Sequence, residues 1–217
     1  MYTLVIGNKK YSSWSLRPWL YLKERGIPFE EICVPLYQGD YKAQLRAHAP
    51  TGKVPVLIDG AIHVWETLAI LEYLAERHPK TQAWPIDPSA RAHARSIASE
   101  MHANFHALRT YCTMNVLKTF LAKAWPADAM ADIERIDAMW TDCRARFGAG
   151  GAFLCGHFGA VDAMFAPVVW RFHAYALPRG PVTDAYIQSM LSLQGMRAWQ
   201  AGAAAETEVL PQFEFKG

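Results

Sequence analysis

Strand signals in this chain run out near Val64, and everything past about residue 88 reads as helix. That one-way change of texture is restrictive, because strands grouped ahead of helices imply a small sheet-bearing unit joined to a helical one. Tyr2–Ile6 is a short apolar run suited to a buried strand. Ser15 precedes Leu16, Trp19 and Leu20 at helical spacing, with Pro18 tolerable in a first turn, and Gly26-Ile27-Pro28 stops that helix. Phe29–Val34 reads as a second strand and Tyr41–Ala47 as a short helix. Val54–Ile58 and Ile62–Val64 read as strands joined by Asp59-Gly60, a strong hairpin signal. Thr67–Arg77 completes the unit as a helix, in the order β-α-β-α-β-β-α.

Pro79–Pro88 is proline-rich and polar and reads as a linker between a unit at 1–78 and another at 89–217. The second unit is all-helical, with helices expected at Ser89–Ala124, Ala127–Phe147, Val161–Ala176, Val182–Leu191 and Gln194–Ala204. Composition excludes more than it selects. A net charge of +2 without a dense basic run argues against a nucleic-acid footprint. Without an apolar run of about 18 residues, a membrane-spanning helix is not expected. Cys33, Cys112, Cys143 and Cys155 lack metal-type spacing. Reduced thiols and a cytoplasmic location are the simplest expectation, the N-terminus lacking a secretory leader.

Three segments carry candidate chemistry. Tyr11-Ser12-Ser13-Trp14-Ser15-Leu16-Arg17 lies where the first strand hands over to the first helix, a natural ligand position in an open α/β sheet. Its hydroxyls can donate to an anion such as a thiolate, or can simply cap the helix. Thr51-Gly52-Lys53-Val54-Pro55-Val56 brings a proline into a strand, ordinarily an edge or turn feature. A cis Val54–Pro55 bond would offer the Val54 backbone to a peptide ligand; a trans proline at a strand start is the plainer alternative. In Trp65-Glu66-Thr67, Thr67 opens a helix whose first N–H groups and hydroxyl suit a carboxylate, while Glu66 suits an ammonium; a cap with a first-turn acid looks much the same.

Together these stretches resemble the cytosolic glutathione transferase family. The likeness rests on Ala49-Pro50-Thr51-Gly52-Lys53-Val54-Pro55-Val56-Leu57 and Glu66-Thr67-Leu68-Ala69-Ile70-Leu71-Glu72-Tyr73-Leu74. The Ser12–Arg17 segment is similar to the serine motif of the zeta-like classes, and Phe153-Leu154-Cys155-Gly156 with Ala160-Val161-Asp162-Ala163 to the motif that starts a core helix of the second domain. The resemblance implies a thioredoxin-like N-terminal domain followed by an all-helical C-terminal one, and a homodimer. It implies glutathione as cosubstrate and a small electrophile as substrate. Ser12 would hold the thiolate, with Ser13 second in line. Val54 would pair with the cysteinyl unit, Pro55 would be cis, Glu66 and Thr67 would hold the γ-glutamyl end, and Lys53 the glycyl carboxylate. Glu100 would reach the partner subunit's γ-glutamyl amine. Arg17 would be a buried ion-pair residue.

Gly159 stands where the family usually has Ser or Thr, so the reciprocal side-chain cap with Asp162 is expected to be lost. A serine in place of a cysteine argues against disulfide exchange. Two further readings remain: a glutathione-dependent cis–trans isomerase of the maleylacetoacetate type, and a non-catalytic member that binds proteins. His102, His106, Tyr111 and Met114 are cleft candidates that a packed helix would also explain. The two histidines at i, i+4 lack the HExxH signature, so no metal site is expected, and the nucleophile-elbow pattern of hydrolases does not occur.

Overall fold

The computed structural model describes residues 1–121 and 124–214. Its first part alternates β1 (Tyr2–Ile6), α1 (Ser13–Glu24), β2 (Phe29–Cys33), α2 (Tyr41–Arg46), β3 (Val56–Asp59), β4 (Ile62–Trp65) and α3 (Thr67–Arg77). The strands form one mixed sheet in the order β2-β1-β3-β4. β1 runs parallel to β2 and antiparallel to β3, with Val5 opposite Val56, and β3 pairs antiparallel with β4. The hairpin closes on Gly60 at φ +60° and Ala61, one step later than the sequence signal suggested.

β1 is apolar throughout because both of its faces are covered. Leu4, Ile6 and Leu57 join the large core with α1 and α3, while Val5 and Val56 face a smaller cluster with Val34, Leu45 and Ala49. That alternation is the period-2 pattern of a strand used on both sides.

After a short 3-10 turn at Pro79–Thr81 come α4 (Pro88–Ala103), α5 (His106–Tyr111), α6 (Ala127–Phe147), α7 (Ala160–Ala174), α8 (Pro181–Leu191) and α9 (Gln194–Ala204). The long helix expected over Ser89–Ala124 is two helices and a loop, and residues 122–123 within it lie outside the described residues. The chain turns at Phe105, which sits at φ +61°, and the Leu108 N–H donates to Asp132 Oδ2 of α6 rather than continuing α4. A tertiary acceptor thus overrides an alanine-rich helical pattern.

α7 is the central helix, buried along nearly all its length, and α1 packs on it as well as on its own sheet. Arg17 fastens the two: Nε donates to the Met164 carbonyl at 2.7 Å and Nη1 to the Ser13 carbonyl at 3.2 Å. Among the described residues it has no carboxylate partner, so the expected ion pair is replaced by carbonyls and by the Trp14 ring, 4.0 Å from the guanidinium. Burial pushes Arg17 down from the ordinary arginine range, and Arg171 and Arg109 nearby add to the effect.

At the start of α7, half of the reciprocal cap survives. Asp162 Oδ2 accepts from the Gly159 N–H at 2.8 Å and Oδ1 from the Leu154 N–H at 3.0 Å. Glycine at 159 has a steric reason as well. A Cβ there would lie 2.8 Å from the Ala83 carbonyl oxygen, which itself accepts the Ala160 N–H.

Candidate functional site

A cleft of about 740 Å³ opens between the sheet-bearing part and the helices, and Ser12, Ser13, Lys53 and Val54 line it. A smaller hollow of about 250 Å³ adjoins it and is lined by Val54, Pro55, Glu66 and Thr67. Trp14, Lys53, Val54 and Arg109 border both. Seven of the eight residues singled out in the sequence therefore meet along one groove. Glu100 does not line either hollow. Its carboxylate is clamped by Arg135 of α6, with both nitrogen–oxygen distances at 2.8 Å.

Each position is set by local structure. Ser12 stands at the N-cap of α1 but makes no side-chain capping bond. Its hydroxyl instead donates to Ser15 Oγ at 2.7 Å, so capping does not account for it. Ser13 is half-buried in the first turn, where N–H groups have no intrahelical acceptor. The Val54–Pro55 peptide is cis, and Val54 lies ahead of β3, outside the strand ladder. Lys53 is exposed at the rim.

Glu66 occupies φ +66° at the N-cap of α3, a conformation a non-glycine residue keeps when its surroundings demand it. Its carboxylate lies 3.9 Å from His102 Nε2. Thr67 is buried, and its hydroxyl donates to the Trp14 carbonyl at 3.2 Å. That carbonyl would ordinarily accept from the residue four places on, which is Pro18 and has no N–H. The Thr67 hydroxyl proton is therefore committed, leaving the α3 N–H groups to face an anion.

On the far wall the sequence offered His106 and Met114 as cleft candidates but did not single out Arg109 or Arg171. Among the described residues no aspartate or glutamate lines the larger cleft, whereas Arg109, Arg171 and His106 do from the helical side and Lys42, Arg46 and Lys53 from the sheet-bearing side. Arg171 is buried in α7, with Nε on the Cys112 carbonyl and Nη1 on the Pro167 carbonyl. Burial, helped by the charge of Arg109, pushes it down to about 10. Arg109 is lowered by burial too, and among the described residues its guanidinium has no hydrogen-bond or ion-pair partner, only the Trp14 ring at 4.9 Å. One signal could have found Arg171: it is the only Lys or Arg in a fifteen-residue helix that is otherwise almost wholly apolar.

The segment after α9 closes one end. Leu210 and Phe213 line the cleft, and the Tyr11 hydroxyl donates to Glu214 Oε1 at 2.6 Å while accepting from the Leu210 N–H at 3.3 Å. Burial and the Glu214 hydrogen bond push Tyr11 up to about 12, so it is a committed neutral phenol. Of the other candidates, His106 and Met114 line the cleft and Tyr111 does not. The turn at Phe105 puts His102 and His106 on separate helices, which removes the i, i+4 geometry. Among the described residues no group of three or more His, Cys, Asp or Glu is placed to hold a metal, and no helix is long and apolar enough to cross a membrane.

A four-stranded mixed sheet flanked by helices and followed by a helical bundle defines the thioredoxin-like, two-part class of fold. Sequence models described as the glutathione S-transferase N-terminal and C-terminal domains match residues 11–77 and 119–199, together more than half of the chain. The chain belongs to the glutathione S-transferase family. It is 41% identical over 87 residues to a probable maleylacetoacetate isomerase of Caenorhabditis elegans, 40% of this chain and 39% of the relative. It is 28% identical over 122 residues to a stringent starvation protein A homolog of Coxiella burnetii, 56% of this chain and 54% of the relative. The chain thus spans about two fifths to half the length of these relatives. A crystal structure of a glutathione transferase homolog from Burkholderia gl BGR1, with bound glutathione, has the same fold. Its TM-score is 0.70 at 22% identity, covering 94% of this chain and 99% of that one.

Proposed function

We propose that the protein is a glutathione transferase in which a serine at the start of α1 stabilises the glutathione thiolate for attack on a small electrophile. The observation that carries the reading is the convergence of Ser12, Val54 and Thr67, from three separated segments, on one groove. In it the γ-glutamyl carboxylate meets the α3 N–H groups and its ammonium meets Glu66. The cysteinyl backbone pairs with Val54, the glycyl carboxylate faces Lys53, and the thiol faces Ser12, with Ser13 beside it. A free thiol near pKa 8.5 is about 3% ionised at pH 7. Lowering it by about two units takes about 2.7 kcal/mol of preference for the thiolate. One hydroxyl donor to an anion contributes about 1.5–3 kcal/mol and the helix N-terminus about 0.3–1 kcal/mol, so the two suffice. The thiolate then forms a carbon–sulfur bond as the leaving group departs with its electron pair.

Replacing Ser12 with alanine is expected to lower kcat/KM at neutral pH by about 10- to 100-fold and to raise the bound thiol's pKa. Unchanged turnover across about pH 6–8 would sink the assignment. A homodimer, and a role for Glu100 across it, belong to the same proposal; sedimentation of the purified chain tests the first.

The acid-free, cationic far wall favours a second reading: a glutathione-dependent cis–trans isomerase of diacids. There the thiolate adds to a conjugated double bond, the resulting single bond rotates, and expulsion of the thiolate restores the alkene with glutathione unconsumed. One relative's name, probable maleylacetoacetate isomerase, points the same way. Turnover of a maleyl diacid against a chlorinated nitrobenzene separates the two. Absence of binding at millimolar glutathione would turn both into the third reading, a non-catalytic protein-binding member.

A further inference from the structure

We propose that Ser15 is a positioning residue that makes Ser12 a stronger donor, an inference that rests on the serine-thiolate reading above. Ser15 is completely buried in the first turn of α1, and Ser12 is nearly so. The Ser15 oxygen accepts two hydrogen bonds, from the Gly7 N–H at 3.1 Å, just past the end of β1, and from the Ser12 hydroxyl at 2.7 Å. A hydroxyl has one proton and two lone pairs. Both acceptor sites of Ser15 are therefore filled, and among the described residues its own proton has no acceptor assigned to it. Ser12, in turn, spends its only proton on Ser15.

That arrangement is a resting state with one reversible element. When an anion arrives over Ser12, the Ser12 proton rotates onto it. The Ser15 proton then rotates onto the Ser12 oxygen across the same 2.7 Å contact. No heavy atom of the pair needs to move and no covalent bond is broken or made; the Ser12–Ser15 hydrogen bond only reverses direction. The result is a single chain of donors: Gly7 N–H to Ser15, Ser15 O–H to Ser12, Ser12 O–H to the thiolate. Each link polarises the next in one direction, the condition under which hydrogen bonds strengthen one another. Burial keeps water from substituting for Ser15 in this chain. A plain structural role, satisfying the Gly7 N–H, explains the first contact but not the second.

The test measures the pKa of glutathione's thiol on the protein, from the ultraviolet absorbance of the thiolate. Binding of S-methylglutathione, which has no thiol, serves as the control for an intact groove. Ser15→Ala is expected to bind S-methylglutathione as the wild type does. Its bound thiol should titrate about half a unit higher, an about threefold loss of thiolate below the pKa. In a Ser12→Ala background the same change should add no further shift. Wild-type titration in Ser15→Ala with intact S-methylglutathione binding overturns the proposal, as does an equal shift in the Ser12→Ala background. If Ser12→Ala itself leaves the titration unchanged, the serine reading fails first. Should the alanine variant not fold, Ser15→Cys keeps the volume with a far weaker donor. An upward-shifted pH profile of kcat/KM then supports the proposal and an unshifted one overturns it.

Discussion

On the transferase reading proposed above, replacing Arg109 with methionine should weaken turnover of carboxylate-bearing electrophiles while leaving neutral ones alone. The guanidinium is half-buried, faces the cleft, and among the described residues has no hydrogen-bond or ion-pair partner, only a ring contact with Trp14. Two unit charges 4 Å apart attract by about 4 kcal/mol at an effective dielectric of about 20. Part of that is spent on desolvation, and a hydrogen bond to a charged group nets about 1.5–3 kcal/mol. Arg171 stays in place, because the Cys112 and Pro167 carbonyls hold it, so the variant loses one of two cationic contacts. The expected cost is therefore about 10- to 150-fold in kcat/KM for a carboxylate-bearing acceptor. For its uncharged analogue the change should be less than about threefold. Folding should tolerate the change. Removing Arg109 lifts a like charge from Arg17 and Arg171, against a loss of about 0.5–1 kcal/mol of contact with Trp14. The melting temperature should then move by no more than about 4 °C. The assay is the ratio of kcat/KM for a chloronitrobenzoate and the matching chloronitrobenzene at saturating glutathione. An equal loss for both acceptors, or no loss for either, refutes the reasoning that this wall selects by charge.

Three further perturbations test the local accounts. Thr67→Val leaves the Trp14 carbonyl without the donor that Pro18 cannot supply, and should lower stability by about 1–2 kcal/mol in urea; an unchanged midpoint would contradict that role. Gly159→Ser restores a side-chain cap, which by helix preference alone would help by a few tenths of a kcal/mol. The clash of its Cβ with the Ala83 carbonyl should instead cost about 1–3 kcal/mol, and a more stable variant would show that the linker yields. Burial alone would raise Glu214, but its contacts with Lys118 and Tyr11 outweigh that and hold it below the usual glutamate range. A depressed carboxyl contributes stability above its unfolded pKa and loses it as pH falls through the folded one, so the 206–214 segment should loosen only below about pH 4.5. Glu214→Gln should reproduce this at neutral pH as faster amide exchange at Leu210; wild-type protection there would rule out the latch.

What the sequence made legible follows from where the determining forces lie. The sheet-bearing part could be read element by element because β1, β3 and the Gly60 turn are specified by short-range pattern and turn chemistry. The groove residues were legible because three short segments carry their own geometry. The break at Phe105 was not, because the group that captures the Leu108 N–H belongs to Asp132, over twenty residues away. Arg17 was read as buried but given the wrong kind of partner, since a main-chain carbonyl inside a distant helix leaves no trace in composition. The role of Thr67 was half-read for the same reason: Pro18, fifty residues earlier, decides where its proton goes.

The two sides of the cleft also differ in what they are made of, and this explains why one was visible and the other was not. The side proposed for glutathione presents main-chain groups at Val54 and the start of α3, which depend on backbone conformation and so demand particular residues in order. The opposite side presents side chains from α5, α7 and the segment after α9, none of which belongs to an ordered sequence motif. On the proposed reading, selectivity for the second substrate would rest on Arg109 and Arg171 rather than on a motif. Their charge is sustained at a cost that burial makes visible in both of them. A cationic pair kept buried without a carboxylate counterpart in the lining is stabilised most by an anion arriving from outside. On the proposed reading, the field that would favour a carboxylate-bearing electrophile would also add to the preference for thiolate over thiol that Ser12 and the start of α1 provide.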